Sequence, residues 1–172
     1  PKAHASAYVT MSFRIAYFKL YHKEAFYATY FTTKAADFDV DIISRGIDAV
    51  LANIKAIEAK GNEATNKELD LLTVLESAYE MYKRGVQLLK VDIYKSHATQ
   101  FKVVDQKLLP PLISVPGLGE TVAKKIYEEA QEEFISLEDF RKRTKASKTV
   151  VEMLQKQGCL QGIPESNQLS LF

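Results

Sequence analysis

Residues 115–126 read Val-Pro-Gly-Leu-Gly-Glu-Thr-Val-Ala-Lys-Lys-Ile, and this stretch restricts the fold more tightly than any other. Gly117 and Gly119 can take positive φ and bring backbone close to a ligand with no Cβ in the way. Leu118 between them is apolar and is expected to plug the turn back onto its flanking helices. From Glu120 a helix begins, and its first N–H groups have no internal acceptor. Val122, Ala123 and Ile126 give that helix a packing face, with a small residue where a neighbour must approach. A Gly-x-Gly turn and a helix N-terminus together form an anion cradle. Thr121 in the first turn, with Lys124 and Lys125 one turn on, is suited to flank a bound phosphate. Glu120 opposes this, because a carboxylate at the helix start competes for the same donors.

The pattern apolar-Pro-Gly-apolar-Gly-x-x-x-Ala-x-x-apolar is met throughout, with a core over 112–126, and it resembles the helix-hairpin-helix motif of polymerases, ligases and repair glycosylases. That resemblance implies contact with the phosphates of duplex DNA without sequence reading. The competing reading is a glycine hairpin that only turns the chain. A second, degenerate copy is expected downstream. Ser136 caps a short helix with Asp139 in its first turn, and Ser147 caps another that runs through Gln157. Between and beside them lie Arg141, Lys142, Arg143, Lys145 and Lys148, five cations with no carboxylate over eight residues. Such a run is either a solvated face or a second phosphate contact.

Elsewhere, apolar spacing predicts helices up to Gly85. Phe13, Tyr17, Leu20 and Tyr21 share one helical face, and Phe26, Tyr27, Tyr30 and Phe31 restart it after His22-Lys23-Glu24. Ile43, Ile47, Val50, Ile54 and Ile57 form a third helix ending at Gly61-Asn62. Thr65 with Glu68 is a capping-box pattern that opens a fourth, closed by Lys83-Arg84-Gly85. The period then changes: Leu89, Val91 and Ile93 alternate with polar neighbours, as do Phe101 and Val103, and Asp105-Gln106 can turn the chain into Leu108-Leu109 before Pro110-Pro111. The expected fold is mainly α with a small antiparallel β patch. Its expected divisions are a helical segment (1–85), a unit bearing the hairpin (86–161) and a flexible tail (162–172).

Several functional classes are excluded by counting. Lys and Arg total 23 against 22 Asp and Glu, so any nucleic-acid contact must be a local patch. The single cysteine, Cys159, makes no internal disulfide, and with three histidines it shows no zinc spacing. No P-loop, nucleophile elbow or dinucleotide fingerprint is present. No apolar run reaches the roughly 18 residues of a membrane span, so no membrane partner is expected. Asp37, Asp39 and Asp41 look like a metal cluster, yet their place before a helix suits dipole complementation better. The aromatic-rich opening, interleaved with Arg14, Lys19, Lys23 and Lys34, reads as a helix seam or a stacking platform for single strands.

The chain ends Gln168-Leu169-Ser170-Leu171-Phe172. This resembles the Gln-x-x-Leu-Phe peptide with which bacterial replication and repair proteins bind the sliding clamp. A glutamine amide can pair with backbone at a groove mouth while Leu169, Leu171 and Phe172 supply apolar contact. The opening residues Pro1 to Tyr8, with Phe13-Arg-Ile-Ala-Tyr-Phe-Lys19 and Ala25-Phe-Tyr-Ala-Thr-Tyr-Phe31, resemble the end of the fingers in C-family replicative polymerases. End to end, the chain resembles the C-terminal part of PolC-type DNA polymerase III alpha subunits of low-GC Gram-positive bacteria. The resemblance implies a cytoplasmic DNA-directed DNA polymerase with Mg²⁺-bearing palm aspartates and a 3′–5′ exonuclease, both outside this chain. It implies no catalytic residue, metal or cofactor here. Lys2, His4 and Tyr8 would lie near incoming nucleotide, and duplex DNA, the beta-subunit clamp and the rest of the polymerase would be the partners. A start at Pro1, without an initiator methionine, agrees with a piece of a longer protein. The alternatives are a free-standing helix-hairpin-helix accessory recruited by the clamp, and a helical interaction module that binds no DNA.

Overall fold

The computed structural model describes residues 2–166. Its first helix, α1 (Lys2–Tyr21), buries no residue. Phe13, Tyr17, Leu20 and Tyr21, the face expected to pack, are 74, 53, 64 and 69% exposed. Apolar residues lie all round α1, the composition of a helix with neighbours on several sides. A short break at His22 leads into α2 (Lys23–Thr33), where the Phe26 N–H donates to the His22 carbonyl at 2.9 Å. Tyr27, Ala28 and Phe31 of α2 are buried, so the second aromatic set is a packing seam. The Phe31 ring lies 5.0 Å from Phe38 and 5.6 Å from Phe101, between centroids.

Asp39 caps α3 (Val40–Ile43), its carboxylate accepting from the Ile42 N–H at 3.1 Å. That is the helix-start role expected of this aspartate. Among the described residues, no three His, Cys, Asp or Glu side chains are grouped to hold a metal ion. The third predicted helix is divided, because Gly46 at φ +96 separates Ile43 in α3 from α4 (Ile47–Glu58). Next, α5 (Asn66–Lys83) opens on the expected reciprocal Thr65–Glu68 box and ends before Gly85 at φ +76. Tyr82 ties α5 back to α3, its hydroxyl donating to the Ile43 carbonyl at 2.7 Å.

The β patch is smaller than expected and mixed rather than antiparallel. Strands β1 (Gln87–Leu88), β2 (Lys102–Val104) and β3 (Lys107–Leu109) lie in the order β1-β3-β2. β2 and β3 are antiparallel across Asp105-Gln106, both at positive φ as a two-residue hairpin turn demands. β1 runs parallel to β3. The alternation over 89–94 predicts a strand, but these residues form a loop that buries Val91 and Ile93. Buried Ser96 holds the loop, its hydroxyl accepting from the Asp92 N–H at 3.1 Å.

The remaining helices are α6 (Glu120–Glu129), α7 (Leu137–Thr144) and α8 (Lys148–Lys156). One continuous cluster of buried residues runs from Tyr27 through Leu160, crossing position 85 without interruption. The Thr32 hydroxyl accepts from the Phe101 N–H at 3.0 Å, and the Gln157 amide donates to Asp41. Both contacts join the helical N-terminal part to the part that bears the hairpins.

Candidate nucleic-acid interface

A one-turn 3-10 helix (Leu112–Ser114) leads into the first hairpin, and α6 leads out of it. The Leu118 N–H donates to the Val115 carbonyl at 3.0 Å, closing the turn. Gly117 stands at φ +81, where a side chain is strained, and a Cβ there would sit 2.7 Å from Met153 Cε. The dihedral calls for glycine, and the Met153 thioether packed over it would have to shift for any Cβ. Gly119 differs from expectation: at φ −72 and ψ 155 it is ordinary extended backbone at the N-cap. Nothing lies within 4 Å of a Cβ built there. Its lack of a side chain leaves the approach to α6 open, and no side chain caps the helix. Leu118 is 4% exposed, so it holds the turn to the core and offers no surface for DNA.

The second hairpin repeats the first at an offset of 28 residues. Lys145 (φ +60) stands where Gly117 does, buried Ala146 where Leu118 does, and Ser147 at the N-cap where Gly119 does. The packing positions Ala123 and Ile126 recur as Val151 and Leu154, all buried. The expected caps are in place: Ser136 accepts from the Asp139 N–H at 3.0 Å, and Ser147 from the Val150 N–H at 3.3 Å. A cleft of about 550 Å³ separates the two copies, with Glu120, Thr121, Lys124, Lys125 and Glu128 on the α6 side and Thr144 and Lys145 on the other. A neighbouring depression is lined by Arg141, Lys142 and again Lys145, with Glu138, so Lys145 is common to both.

The cations are not equivalent. Lys124 pairs with Glu120 at 2.6 Å, and Lys125 with Glu129 at 2.8 Å. The Glu129 carboxylate holds the Lys125 ammonium above its ordinary range. Lys148 is looser, 3.8 Å from Glu152. Arg141, Lys142 and Lys145 make no ion pair among the described residues. Arg143, counted with them in the sequence, is turned inward instead. It pairs with Glu129 at 3.2 Å and Asp139 at 3.4 Å, donates to the Glu133 carbonyl, and lies 4.5 Å from the Phe134 ring centroid. Its guanidinium knits α7 to the end of α6 and is not free for a ligand. Asp139, four residues before it, was the local signal for this; Glu129 was not foreseeable.

Lys2, His4 and Tyr8 lie exposed on α1, a different element from either hairpin, with the His4 and Tyr8 rings edge to face at 4.5 Å. Gln168, Leu169, Leu171 and Phe172 fall outside the described residues. No helix among those described is long and apolar enough to cross a membrane.

A family model described as a helix-hairpin-helix motif matches residues 85–169. The chain is 58% identical to the DNA polymerase III PolC-type of Caldanaerobacter subterraneus subsp. tengcongensis, 54% to that of Clostridium perfringens and 51% to that of Bacillus subtilis. Each match covers all of this chain and 12% of the relative, so the chain spans about an eighth of the length of these proteins. Along its whole length, then, the chain is similar to a segment of PolC-type DNA polymerase III, and the cleft between its paired hairpins lies in the part matched as helix-hairpin-helix.

Proposed function

We propose that this chain is the C-terminal portion of a PolC-type replicative DNA polymerase, and that it holds template-primer duplex through phosphate contacts at the paired hairpins. The observation that carries the reading is the cleft itself. The α6 N–H groups of Glu120, Thr121 and Val122 find no acceptor among the described residues, and Lys145, without an ion pair there, lines the same cleft, with Arg141 and Lys142 in the depression next to it. Donors and cations without base-reading partners suit a repeating phosphate backbone. The duplex-contacting set is Gly119, Thr121, Lys124, Lys125, Arg141, Lys142, Lys145 and Lys148, with Gly117 and Leu118 holding the turn in place. Residues 1–85 end the fingers, with Lys2, His4 and Tyr8 toward incoming nucleotide, and the exposed face of α1 meets the rest of the polymerase. Nucleotidyl transfer with its Mg²⁺, and the 3′–5′ exonuclease, belong to that remainder. Gln168, Leu169, Leu171 and Phe172 tether the enzyme to the sliding clamp at the cytoplasmic replication fork.

The test is fluorescence anisotropy with generic labelled duplexes across a salt series. With about 3–5 phosphate contacts, log K falls against log salt with a slope of roughly −3 to −4, alike for unrelated sequences. Affinity indifferent to salt, or sharply sequence-dependent, would refute it. The tether is read separately by titrating purified clamp with the full chain and with one truncated after Asn167. The full chain is expected to bind with affinity on the order of micromolar. Equal affinity for the two would remove the tether.

A further inference from the structure

The two hairpins share a backbone plan but carry opposite charge at corresponding places. In the first, Glu120 opens the helix and Lys124 follows one turn later, 2.6 Å apart. In the second, 28 residues on, Lys148 opens the helix and Glu152 follows, 3.8 Å apart. The caps are also inverted. Gly119 leaves the α6 donors uncapped, whereas the Ser147 hydroxyl occupies the Val150 N–H of α8.

We infer that the hairpins divide the work of holding duplex: the first supplies neutral backbone donors restrained by Glu120, and the second supplies the net charge. This rests on the duplex-binding reading and adds a role for Glu120, which sets affinity low by competing for Lys124 and repelling phosphate at the α6 N-terminus. A phosphate reaching α6 must draw Lys124 from a short carboxylate pair. One reaching α8 meets Lys148 at the helix start with Arg141 in the same depression and Lys142 and Lys145 in the adjoining one, four cations against the three carboxylates Glu138, Glu152 and Glu165. Opposite charges at one position, a few ångström from a phosphate, give opposite contributions to affinity and salt slope. A polymerase that must advance along its product gains from one weak and one strong contact, since the whole grip is then released at moderate cost.

The test exchanges charges without changing net charge. In the full 172-residue chain, Glu120→Lys/Lys124→Glu gives the first hairpin the arrangement of the second, and Lys148→Glu/Glu152→Lys does the reverse. Anisotropy with a labelled generic duplex should show the first double variant binding about three- to tenfold more tightly at 0.1 M salt, with a steeper slope, and the second weaker by a similar factor with a shallower one. Because a lysine at the start of α6 weakens that helix slightly, Glu120→Gln serves as a second variant; it should tighten binding about two- to fivefold. Thermal melts check that each variant is folded. Salt-dependent binding by the parent chain with no response to either exchange, or the same sign for both, overturns the inference alone. Absence of duplex binding by the parent chain overturns the duplex reading and the inference with it.

Discussion

Replacing Gly117 by alanine perturbs the first hairpin in two ways that can be measured apart. At φ +81, a non-glycine residue pays about 1–2 kcal/mol for the left-handed region. The new methyl also stands 2.7 Å from Met153 Cε and 3.3 Å from its Sδ. A thioether is flexible and can yield, so moving it off a preferred rotamer adds about 0.5–1.5 kcal/mol. The expected total is about 1.5–3.5 kcal/mol, measured by urea unfolding at 25 °C. A double-mutant cycle with Met153→Ala separates the parts: with the thioether gone, Gly117→Ala should cost only its dihedral share, leaving a coupling of about 0.5–1.5 kcal/mol. Gly119→Ala is the control. Its φ of −72 and open surroundings predict a loss of no more than about 1 kcal/mol, from the poorer cap. If the two alanines cost the same, or if the cycle shows no coupling, the account of this turn is wrong.

Two further outcomes follow from the helices at the other end of the chain. Glu68, hydrogen-bonded first by Lys60 and then by the Thr65 backbone and hydroxyl, is held down at about 2 from an ordinary 4.5. A depressed carboxylate stabilises above its unfolded pKa and loses that contribution as pH falls through the folded one. The melting-temperature advantage of the parent chain over Glu68→Gln should therefore be full above pH 5 and vanish toward pH 2; an advantage constant with pH would exclude the carboxylate as its source. Deleting residues 1–21 should cost less than about 2 kcal/mol, since α1 buries nothing and forfeits mainly the half-exposed Lys19–Glu80 pair and the Lys19 ammonium over the Phe26 ring. Sedimentation should show less self-association once Phe13, Leu20 and Tyr21 are gone. A large loss of stability on deletion would mean that α1 is integral to the core.

Local signals were legible and non-local ones were not. The capping box at Thr65–Glu68, the caps at Ser136 and Ser147, and the turn at Asp105-Gln106 depend on neighbours within four residues, and each is where the sequence puts it. Val91 and Ile93 alternate like a strand, yet their burial comes from a loop packed under the Cys159 segment, whose thiol donates to the Val91 carbonyl at 3.4 Å. The parallel pairing of Gln87 with Lys107 has no local trace at all. In α1, apolar residues read the same whether or not their partners are at hand. At the hairpins, glycine marked the turn and the basic run marked residues that line the cleft and its neighbouring depression. Chemistry alone did not separate Arg143, spent on Glu129 and Asp139, from Lys145, which faces the cleft. Nor did two glycines in one motif reveal that only Gly117 needs positive φ.

The central claim, that uncapped α6 donors help hold phosphate, is tested most directly by Gly119→Ser. The structure has an internal precedent, because Ser147 fills the same place before α8 and caps it. A serine hydroxyl at 119 would accept one of the free N–H groups and relieve the glycine's unfolded-state entropy, raising stability by about 0.5–1 kcal/mol. The same hydroxyl competes with phosphate for that donor. Duplex affinity should fall about five- to tenfold, with the salt slope unchanged because no charge is altered. Stability rising while affinity falls is the predicted result. Stability rising with affinity unchanged or improved would show that the α6 N-terminus does not touch the DNA backbone.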